Sequence, residues 1–311
     1  MAKEKQIPEV DIVVDEAAGV IREIKPEKKL RSKKGHERRV NTLVYAILIA
    51  MSVIWLLPFV FLVLQSFRCE FGGQVAYILP KQWGWDNYIF LFEQTKFPIW
   101  YMNTLIIALF TAVIQTMMQL SVSYSLSRMR FRGRQLIMKM ILVLGMFPGF
   151  LTMIALYFLL KQFGLTQEGA IPGLILVTVA SSGMGYYISK GFFDTVPKSL
   201  DESARIDGCT RLQVFYKIIL PMAKPTVIYT ILTAFMGPWG DYVFASYVAL
   251  GHTDSYNVAV GMFRWLNTND YQGYFTRFCA GGVLVAVPIT ILFMFLQKYY
   301  VEGVTGGAVK G

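Results

Sequence analysis

Residues 40–67 read VNTLVYAILIAMSVIWLLPFVFLVLQSF, 28 positions without a charged side chain. An α-helix rises 1.5 Å per residue, so about 20 apolar residues cross the ~30 Å hydrocarbon core of a bilayer. Five further runs of this kind follow, and Asp241 is the only charge inside them. We therefore predict an all-α membrane protein with six transmembrane helices, at about 42–66, 98–127, 140–160, 170–189, 226–250 and 278–297.

The composition excludes an ordinary soluble enzyme. Of 311 residues, 55% are hydrophobic and 16% are charged, and the mean hydropathy is +0.46. Soluble domains average ~45–50% apolar and ~25% charged residues. The three cysteines and two histidines lie in separate segments, without a metal-ligand spacing or the material for a His-based triad. We expect no catalytic site, no metal site and no nucleic-acid partner.

The net charge of +10 reports membrane topology. If the N-terminus is cytoplasmic, the cytoplasmic segments 1–40, 128–139, 190–225 and 298–311 carry 24 Lys and Arg, and the outer segments carry 6. Because basic loops stay inside, we expect both termini in the cytoplasm. Residues 1–40 hold eleven basic and eight acidic side chains. We expect them to form a disordered cytoplasmic tail, its basic end on anionic lipid, before a transmembrane domain at 41–311.

Polar and helix-breaking residues inside the spans have more than one interpretation. Thr111, Gln115, Gln119 and Ser123 follow i, i+4 spacing on one face of the second span, where polar groups join helices or line a path. Asp241 lies near the outer end of the fifth span, where interface anchoring and substrate contact both stay open. Gln115, Gln119 and Asp241 are thus candidates for a pathway. Glycine and proline breakers, as at 148–149 and 183–185, predict kinks.

The 190–225 segment is long for a connection and has the pattern of two short helices. Ser199-Leu-Asp-Glu202 has the form of a capping box, which predicts a helix start there. Gly208 allows a sharp turn, and a second helix from Thr210 is expected to end at Pro221. A rigid helix–turn–helix at the membrane surface suits the transmission of force from another protein.

This segment resembles the "EAA" loop of ABC importer permeases, E-A-A-x3-G-x9-I-x-L-P. Here it reads Glu202-Ser203-Ala204, three residues, Gly208, nine residues, then Ile218-x-Leu220-Pro221. Ser203 in place of Ala is the only departure. The segments 127–134, 146–157 and 301–311 are similar to those of the smaller permease subunit in maltose/maltodextrin transporters, so the resemblance covers roughly 40–311.

The resemblance implies the type I ABC importer permease fold and an inner-membrane location in a bacterial-type cell. It implies a second permease, two nucleotide-binding subunits, an extracytoplasmic sugar-binding protein and surrounding membrane lipid as partners. The chain has no GxxxxGK[ST] motif, so ATP and Mg would bind in the partner subunits and no cofactor in this chain. It also implies a set of residues that dock to the nucleotide-binding subunit: Asp201, Glu202, Ser203, Ala204, Gly208, Ile218, Leu220 and Pro221. For Glu202, a role confined to the capping box stays open.

The outer loop 251–277 is too polar to span and is rich in aromatic residues. The resemblance implies that part of it contacts the sugar-binding protein, namely Asn267, Thr268, Asn269, Asp270, Tyr271, Gln272 and Gly273. A plain connecting loop is the alternative.

The expected function is import of a sugar or oligosaccharide, with maltose/maltodextrin ahead of other oligosaccharides. An ion-coupled secondary transporter is weaker, because it would show internal repeats and buried acids near the midplane. An intramembrane enzyme is weaker still, because GxSxG and HExxH are absent.

Overall fold

The computed structural model describes residues 12–15, 20–23, 29–70, 77–147, 149–266 and 271–308. The chain divides into two compact units, Met1–Val60 and Phe61–Gly311. In the first unit, β1 (Ile12–Asp15) pairs antiparallel with β2 (Val20–Glu23). This hairpin lies within the segment 1–40, for which the sequence predicts a disordered tail. β-Branched residues make up three of the four positions of β1 and two of the four of β2, and such residues favour extended backbone.

A single long helix, α1 (Lys29–Ser66), follows the hairpin. Its side chains are exposed over residues 37–61, and most of them are apolar. Trp55, for example, is 72% exposed. A helix that is apolar all round requires lipid or other protein as its surroundings.

Over its described residues, the second unit is built from helices joined by short connections, and an isolated β-bridge pairs Arg68 with Trp83. Its helices are α2 (Asp86–Glu93), α3 (Phe97–Arg128), α4 (Arg134–Gly145), α5 (Gly149–Gln162), α6 (Ala170–Ala180), α7 (Gly183–Thr195), α8 (Lys198–Ile206), α9 (Arg211–Val214), α10 (Leu220–Met222), α11 (Lys224–Gly240), α12 (Val243–Ala249), α13 (Val258–Leu266) and α14 (Tyr271–Ala308). A π turn over Phe215–Ile219 joins α9 to α10. Short 3-10 turns occupy Gln167–Gly169 and Thr253–Ser255.

Three helical stretches of the described chain are long and apolar enough to cross a bilayer: Glu37–Ser66, Phe97–Arg128 and Gly273–Tyr299. Three bent pairs bring the number to six if each pair is one span. α4 and α5 meet at 104°, the Gln167–Ala180 and Gly183–Thr195 helices at 40°, and the Arg211–Met222 and Lys224–Gly240 helices at 85°. The first two bends lie at the glycine and proline breakers of the sequence.

The span expected at 226–250 is interrupted. α11 ends at Gly240, and Asp241 is extended, with φ −76° and ψ 90°. Its carboxylate accepts the backbone N–H of Phe244 at 3.2 Å, which satisfies one of the donors at the start of α12. An acid that caps a new helix thus breaks the helix that hydropathy alone predicts to be continuous.

α3 is the central helix of the second unit, in contact with α6, α7, α11 and α13. The larger core cluster includes Trp100 and Ile107 of α3, Leu174 of α6 and Phe235 of α11. Between helices in lipid, close packing and hydrogen bonds replace the hydrophobic effect as the main attraction. The close fit of these side chains therefore holds the helices of this cluster together.

A smaller cluster lies at the C-terminal end of α3 and positions the 190–225 segment. It joins Leu120 and Tyr124 of α3 to residues that follow, namely Phe193, Val196, Ala204, Val214, Ile219 and Ala223. The Tyr124 ring lies 4.8 Å from the ring of Phe215 and 6.3 Å from that of Phe193, measured between centroids. Every helical element of the 190–225 segment thus has an anchor near one end of α3.

Candidate functional site

The expected helix–turn–helix is present in the 190–225 segment, and its second helix starts from Thr210 as expected, but the first helix is capped differently from expectation. α8 begins at Lys198, with Pro197 at the N-cap position and no side chain bonded to the first turn. Ser199 therefore lies inside the helix, and the capping box predicted for Ser199 and Glu202 is wrong. The carbonyl of buried Val196 accepts a 2.7 Å hydrogen bond from Arg128 Nη2. A contact with the end of α3 thus fixes the residues that precede α8.

A complete capping box occurs instead at the next helix. Thr210 Oγ1 accepts the backbone N–H of Gln213 at 3.3 Å, and Gln213 Oε1 accepts that of Thr210 at 2.7 Å. The helical path then runs through Pro221 to Met222, so the helix end expected at Pro221 is also wrong. Pro221 lies in the first turn of α10, directly after the π turn, where its missing N–H is tolerated.

Gly208 forms the turn between the two elements, as the sequence predicts. Its φ is +84°, a conformation that a residue with a Cβ adopts only under strain. The N–H of Gly208 donates to the carbonyl of Arg205 at 3.2 Å, and that of Cys209 donates to the carbonyl of Ala204 at 2.9 Å. This pair of bonds is a Schellman motif, which closes the C-terminus of α8.

The inward side of α8 rests on α3. Ala204 is 6% exposed and packs in the smaller cluster. Asp201 Oδ2 lies 3.2 Å from Arg128 Nε, and the two side chains are 16% and 5% exposed. The sequence interpretation gave Arg128 no role beyond positive-inside topology. A usable signal was its spacing of eight residues from Leu120 and four from Tyr124, which places it on the buried face of α3.

The Arg128–Asp201 pair is electrostatically costly to bury. Burial raises the pKa of the Asp201 carboxyl; the Arg128 guanidinium lowers it and the nearby Glu202 raises it, and the net direction is upward. Desolvation therefore outweighs the attraction of the partner charge. The pair therefore fixes the position of α8 but adds little to the stability of the folded chain.

The outward side of α8 is open. Glu202 and Ser203 are exposed, and among the described residues no cation lies within ion-pair distance of the Glu202 carboxylate. Ile206 is 86% exposed and Leu200 is 37% exposed. The apolar residues Leu200, Ala204 and Ile206 of α8 thus do not form a single buried face.

The remaining motif residues lie beside the π turn. Ile219 is fully buried, and its neighbours Ile218 and Leu220 are half-buried against the smaller cluster. Pro221 is exposed. Ile218, Ile219 and Leu220 therefore anchor the segment to the helical bundle.

Gln119 is at the centre of a buried hydrogen-bond network between three helices. Its Nε2 lies 3.0 Å from the carbonyl of Gly185 and 2.8 Å from Ser189 Oγ in α7, and 3.3 Å from Thr230 Oγ1 in α11. A Cβ at Gly185 would lie 2.7 Å from Gln119 Oε1, so a larger residue here would displace the Gln119 amide from these positions. Gln115 is half-buried, and its Oε1 has no hydrogen-bond partner within the described chain. The geometry around Gln119 is that of a helix–helix contact.

Asp241 lies beside a small cavity of 210 Å³ that Thr178, Pro238 and Asn257 also line. Asn257 Nδ2 donates to the Asp241 carbonyl at 2.6 Å, and the Asp241 carboxylate caps α12 as described above. Both interactions are structural.

The loop expected to contact a binding protein is only partly visible. Residues 267–270 lie outside the described residues, as do the side chains of Tyr271 and Gln272. Gly273 lines a cavity of 340 Å³ together with Arg68, Asn87 and Arg277. Over the part of the chain that the structure describes, no group of three His, Cys, Asp or Glu residues could hold a metal ion.

Comparison with known proteins identifies the family of this chain. The family of binding-protein-dependent transport system inner membrane components matches residues 119–306, which include the whole 190–225 segment. The chain is 36% identical over 283 residues to the maltodextrin transport system permease protein MalD of Streptococcus pneumoniae, covering 90% of this chain and 99% of that protein. It is 35% identical to the galactooligosaccharides transport system permease protein GanQ of Bacillus subtilis, covering 86% and 94%.

The fold agrees with these relatives. A chain in the crystal structure of a bacterial ABC transporter involved in import of the acidic polysaccharide alginate superposes with a TM-score of 0.70 at 21% identity, covering 89% of this chain and 100% of that chain. The resemblance to ABC importer permeases is therefore confirmed, and the fold is that of type I importer permeases. The chain belongs to the binding-protein-dependent transport system inner membrane components, the membrane permeases of ABC importers.

Proposed function

We propose that this chain is one of two permease subunits of an ABC importer that carries maltodextrins into the cell. Support comes from the identity to MalD and from the 35% identity to the maltodextrin permease MdxG of Bacillus subtilis. The equal identity to GanQ makes galactooligosaccharides the second candidate substrate.

The proposed topology has six spans and both termini in the cytoplasm. The three long apolar helices and the three bent pairs supply enough helical length for six crossings. The excess of Lys and Arg in the segments 1–40, 128–139, 190–225 and 298–311 favours this orientation. The 190–225 segment then faces the cytoplasm, in the inner membrane of a bacterial-type cell.

The main support for this function is the way in which α8 is attached to the helical bundle. Its inner side is held by Arg128, by Ala204 and by the Schellman turn at Gly208. Its outer side presents the unpaired Glu202 carboxylate and the apolar Ile206. A nine-residue helix is too short to be stable alone, so this support makes it a rigid contact for a nucleotide-binding subunit.

From α8, force has two routes into the membrane bundle. One passes through the Arg128–Asp201 pair to α3, and the other passes through α9, the π turn and α10 to the bend at Ala223. In the proposed complex, two nucleotide-binding subunits hold ATP and Mg. A second permease completes the pathway, and an extracytoplasmic sugar-binding protein delivers substrate against 267–273. Gln119 and Asp241 are assigned structural roles here.

Transport in cells tests the proposal. A strain that lacks this gene should lose uptake of labelled maltotriose and longer maltodextrins, and the wild-type gene on a plasmid should restore it. Uptake of labelled galactotriose should not change. Loss of galactotriose uptake alone would favour the second candidate, and unchanged uptake of both sugars would refute a role in either transport.

A further inference from the structure

A basic cavity lies between the end of α3, the connection to α4 and one face of α8. Its volume is 440 Å³, and six of its lining residues are cations: Arg128, Arg130, Arg134, Lys198, Arg205 and Arg211. The acids on its wall are Asp201 and Glu202. The α8 residues on its wall are 198, 201, 202 and 205, which follow i, i+3, i+4 and i+7 spacing; Glu202 lies at the edge of this face, next to the outward side of the helix.

The cavity carries an excess of positive charge. The only ion pair among its lining residues joins Arg128 to Asp201. Beside the other five cations lie the exposed Glu202 and, close to Arg134, Asp194, whose carboxylate is already paired with Lys190. Arg128 is 5% exposed, and its Nη1 is buried without a hydrogen-bond acceptor in the described chain. A buried guanidinium with an unused donor is costly, and an anion in the cavity would remove that cost.

A second cavity of 770 Å³ shares part of this wall. Arg130 and Arg134 line both cavities, and the second one also contacts Gly133 and Leu136 at the start of α4. α4 has twelve residues and no side-chain cap, so the free N–H groups of its first turn add a positive field. Beyond the cations, α4 has an exposed apolar surface that includes Leu136 (63% exposed) and Met140 (52% exposed).

We propose that these cavities bind the phosphate-bearing headgroup of an anionic phospholipid, with its acyl chains along the apolar surface of α4. The proposal rests on the topology given above, which places the α3–α4 connection at the cytoplasmic surface of the membrane. Basic pockets between spanning helices on that side are suited to anionic headgroups. Arg128 joins the cavity to α8 through Asp201, so the bound lipid would contact the support of the proposed docking helix.

The apolar surface next to the cations distinguishes a lipid from a free phosphate ion. A free ion would need only the charged wall, whereas the exposed side chains of α4 continue from that wall in the direction of the membrane. A lipid satisfies both parts at once. The sequence alone attributes the run of arginines at 128–134 entirely to topology.

The test uses the full-length chain in neutral detergent, with thermal stability as the readout. Dioctanoyl phosphatidylglycerol, dioctanoyl phosphatidylcholine and inorganic phosphate are titrated separately. The double variant Arg130→Gln/Arg134→Gln removes two cations that line both cavities. Arg132→Gln is the matched control, because Arg132 lies in the same connection, is exposed, and lines neither cavity.

Phosphatidylglycerol should raise the midpoint of unfolding saturably for the wild type and Arg132→Gln. The double variant should need a roughly 30-fold higher concentration, about 5-fold for each cation removed. Phosphatidylcholine and inorganic phosphate should have no effect. An equal response of all three chains, no response of the wild type, or an equal effect of inorganic phosphate would overturn the proposal.

Two features keep this result interpretable. If the double variant does not fold, Arg130→Gln and Arg134→Gln are measured singly, each with an expected shift of about 5-fold. The assay contains no sugar, nucleotide or partner subunit. Its failure therefore leaves the proposed transport function untouched, and a failure of maltodextrin uptake leaves the lipid site untouched.

Discussion

The Arg128–Asp201 ion pair allows a quantitative test of how α8 is supported. At 3.2 Å and an effective dielectric constant of 20, the two charges attract by about 5 kcal/mol before desolvation is counted. The side chains are 5% and 16% exposed, so removal of one partner leaves a largely desolvated charge. Such a change costs ~3 kcal/mol, at the lower end of the range for buried pairs.

We therefore expect Arg128→Met and Asp201→Leu each to destabilise the chain by about 3 kcal/mol. At roughly 2 °C per kcal/mol for a chain of this size, each midpoint should fall by about 6 °C. The double variant should lie within about 1 kcal/mol of the wild type, because desolvation already outweighs attraction in this pair. Cys279 is 4% exposed, so in a chain with Cys69 and Cys209 replaced by Ser its reaction with a thiol-reactive dye reports unfolding.

The effect of Arg128→Met should also depend on pH. The Asp201 pKa is already raised in the folded chain, and loss of the guanidinium raises it further. The folded state then keeps a proton that the unfolded state has released. The contribution of Asp201 to the stability of this variant is thus largest below the ordinary Asp pKa of 3.8 and is lost as the pH rises through the folded value. A double variant as unstable as the sum of both single variants would refute the argument, as would single variants within 1 °C of the wild type.

Four further outcomes are expected. Glu202→Gln and Glu202→Lys should both lower sugar-stimulated ATPase activity in the reconstituted complex, and wild-type activity in both would contradict docking through this charge. Gly208→Ala should cost ~1–2 kcal/mol because of its positive φ, whereas Gly191→Ala, in a helix with equally open space, should be neutral or stabilising in the same thermal assay. Gly185→Ala should destabilise by collision with Gln119, and Gln119→Ala in the same chain should relieve part of the loss; unfolding midpoints that simply add would contradict the contact. A cysteine added after the C-terminus should react in intact cells only with a membrane-permeant reagent, and labelling by an impermeant one would reverse the proposed topology.

The membrane class and the family could be predicted from the sequence because both depend on local patterns. Uncharged runs of about 20 residues and the spacing from Glu202 to Pro221 need no tertiary information. The turn at Gly208 was predictable for the same reason, since few residues other than glycine adopt its φ. Bends also follow local breakers, as at 148–149 and 183–185.

The capping of the 190–225 segment could not be predicted in this way. Ser199-x-x-Glu202 and Thr210-x-x-Gln213 both have the form of a capping box, and only the second one is formed. The choice at α8 depends on the bond from Arg128 to the carbonyl of Val196, which are 68 positions apart in the chain. No local pattern contains that contact.

Asp241 shows the same limit for the spans. Hydropathy counts it as one tolerated charge in a run of apolar residues, and the run reads as one helix. The structure uses its carboxylate to start a new helix at Val243. Whether an acid in a span faces a pathway or a backbone donor depends on the path of the chain, which its immediate neighbours do not specify.

The bend at Ala223 joins two helical segments of unequal length. α11 has 17 residues and is therefore about 25 Å long. It meets the preceding helical segment at 85°, so the two helices are nearly perpendicular and a rotation about the bend would move both. A tilt of about 10° at this elbow would sweep the far end of α11 through ~4 Å, close to one helical turn. The preceding segment, Arg211–Met222, is about 18 Å long, so the same tilt would move its far end by ~3 Å, and the displacement would grow by roughly 1.4-fold at the far end of α11.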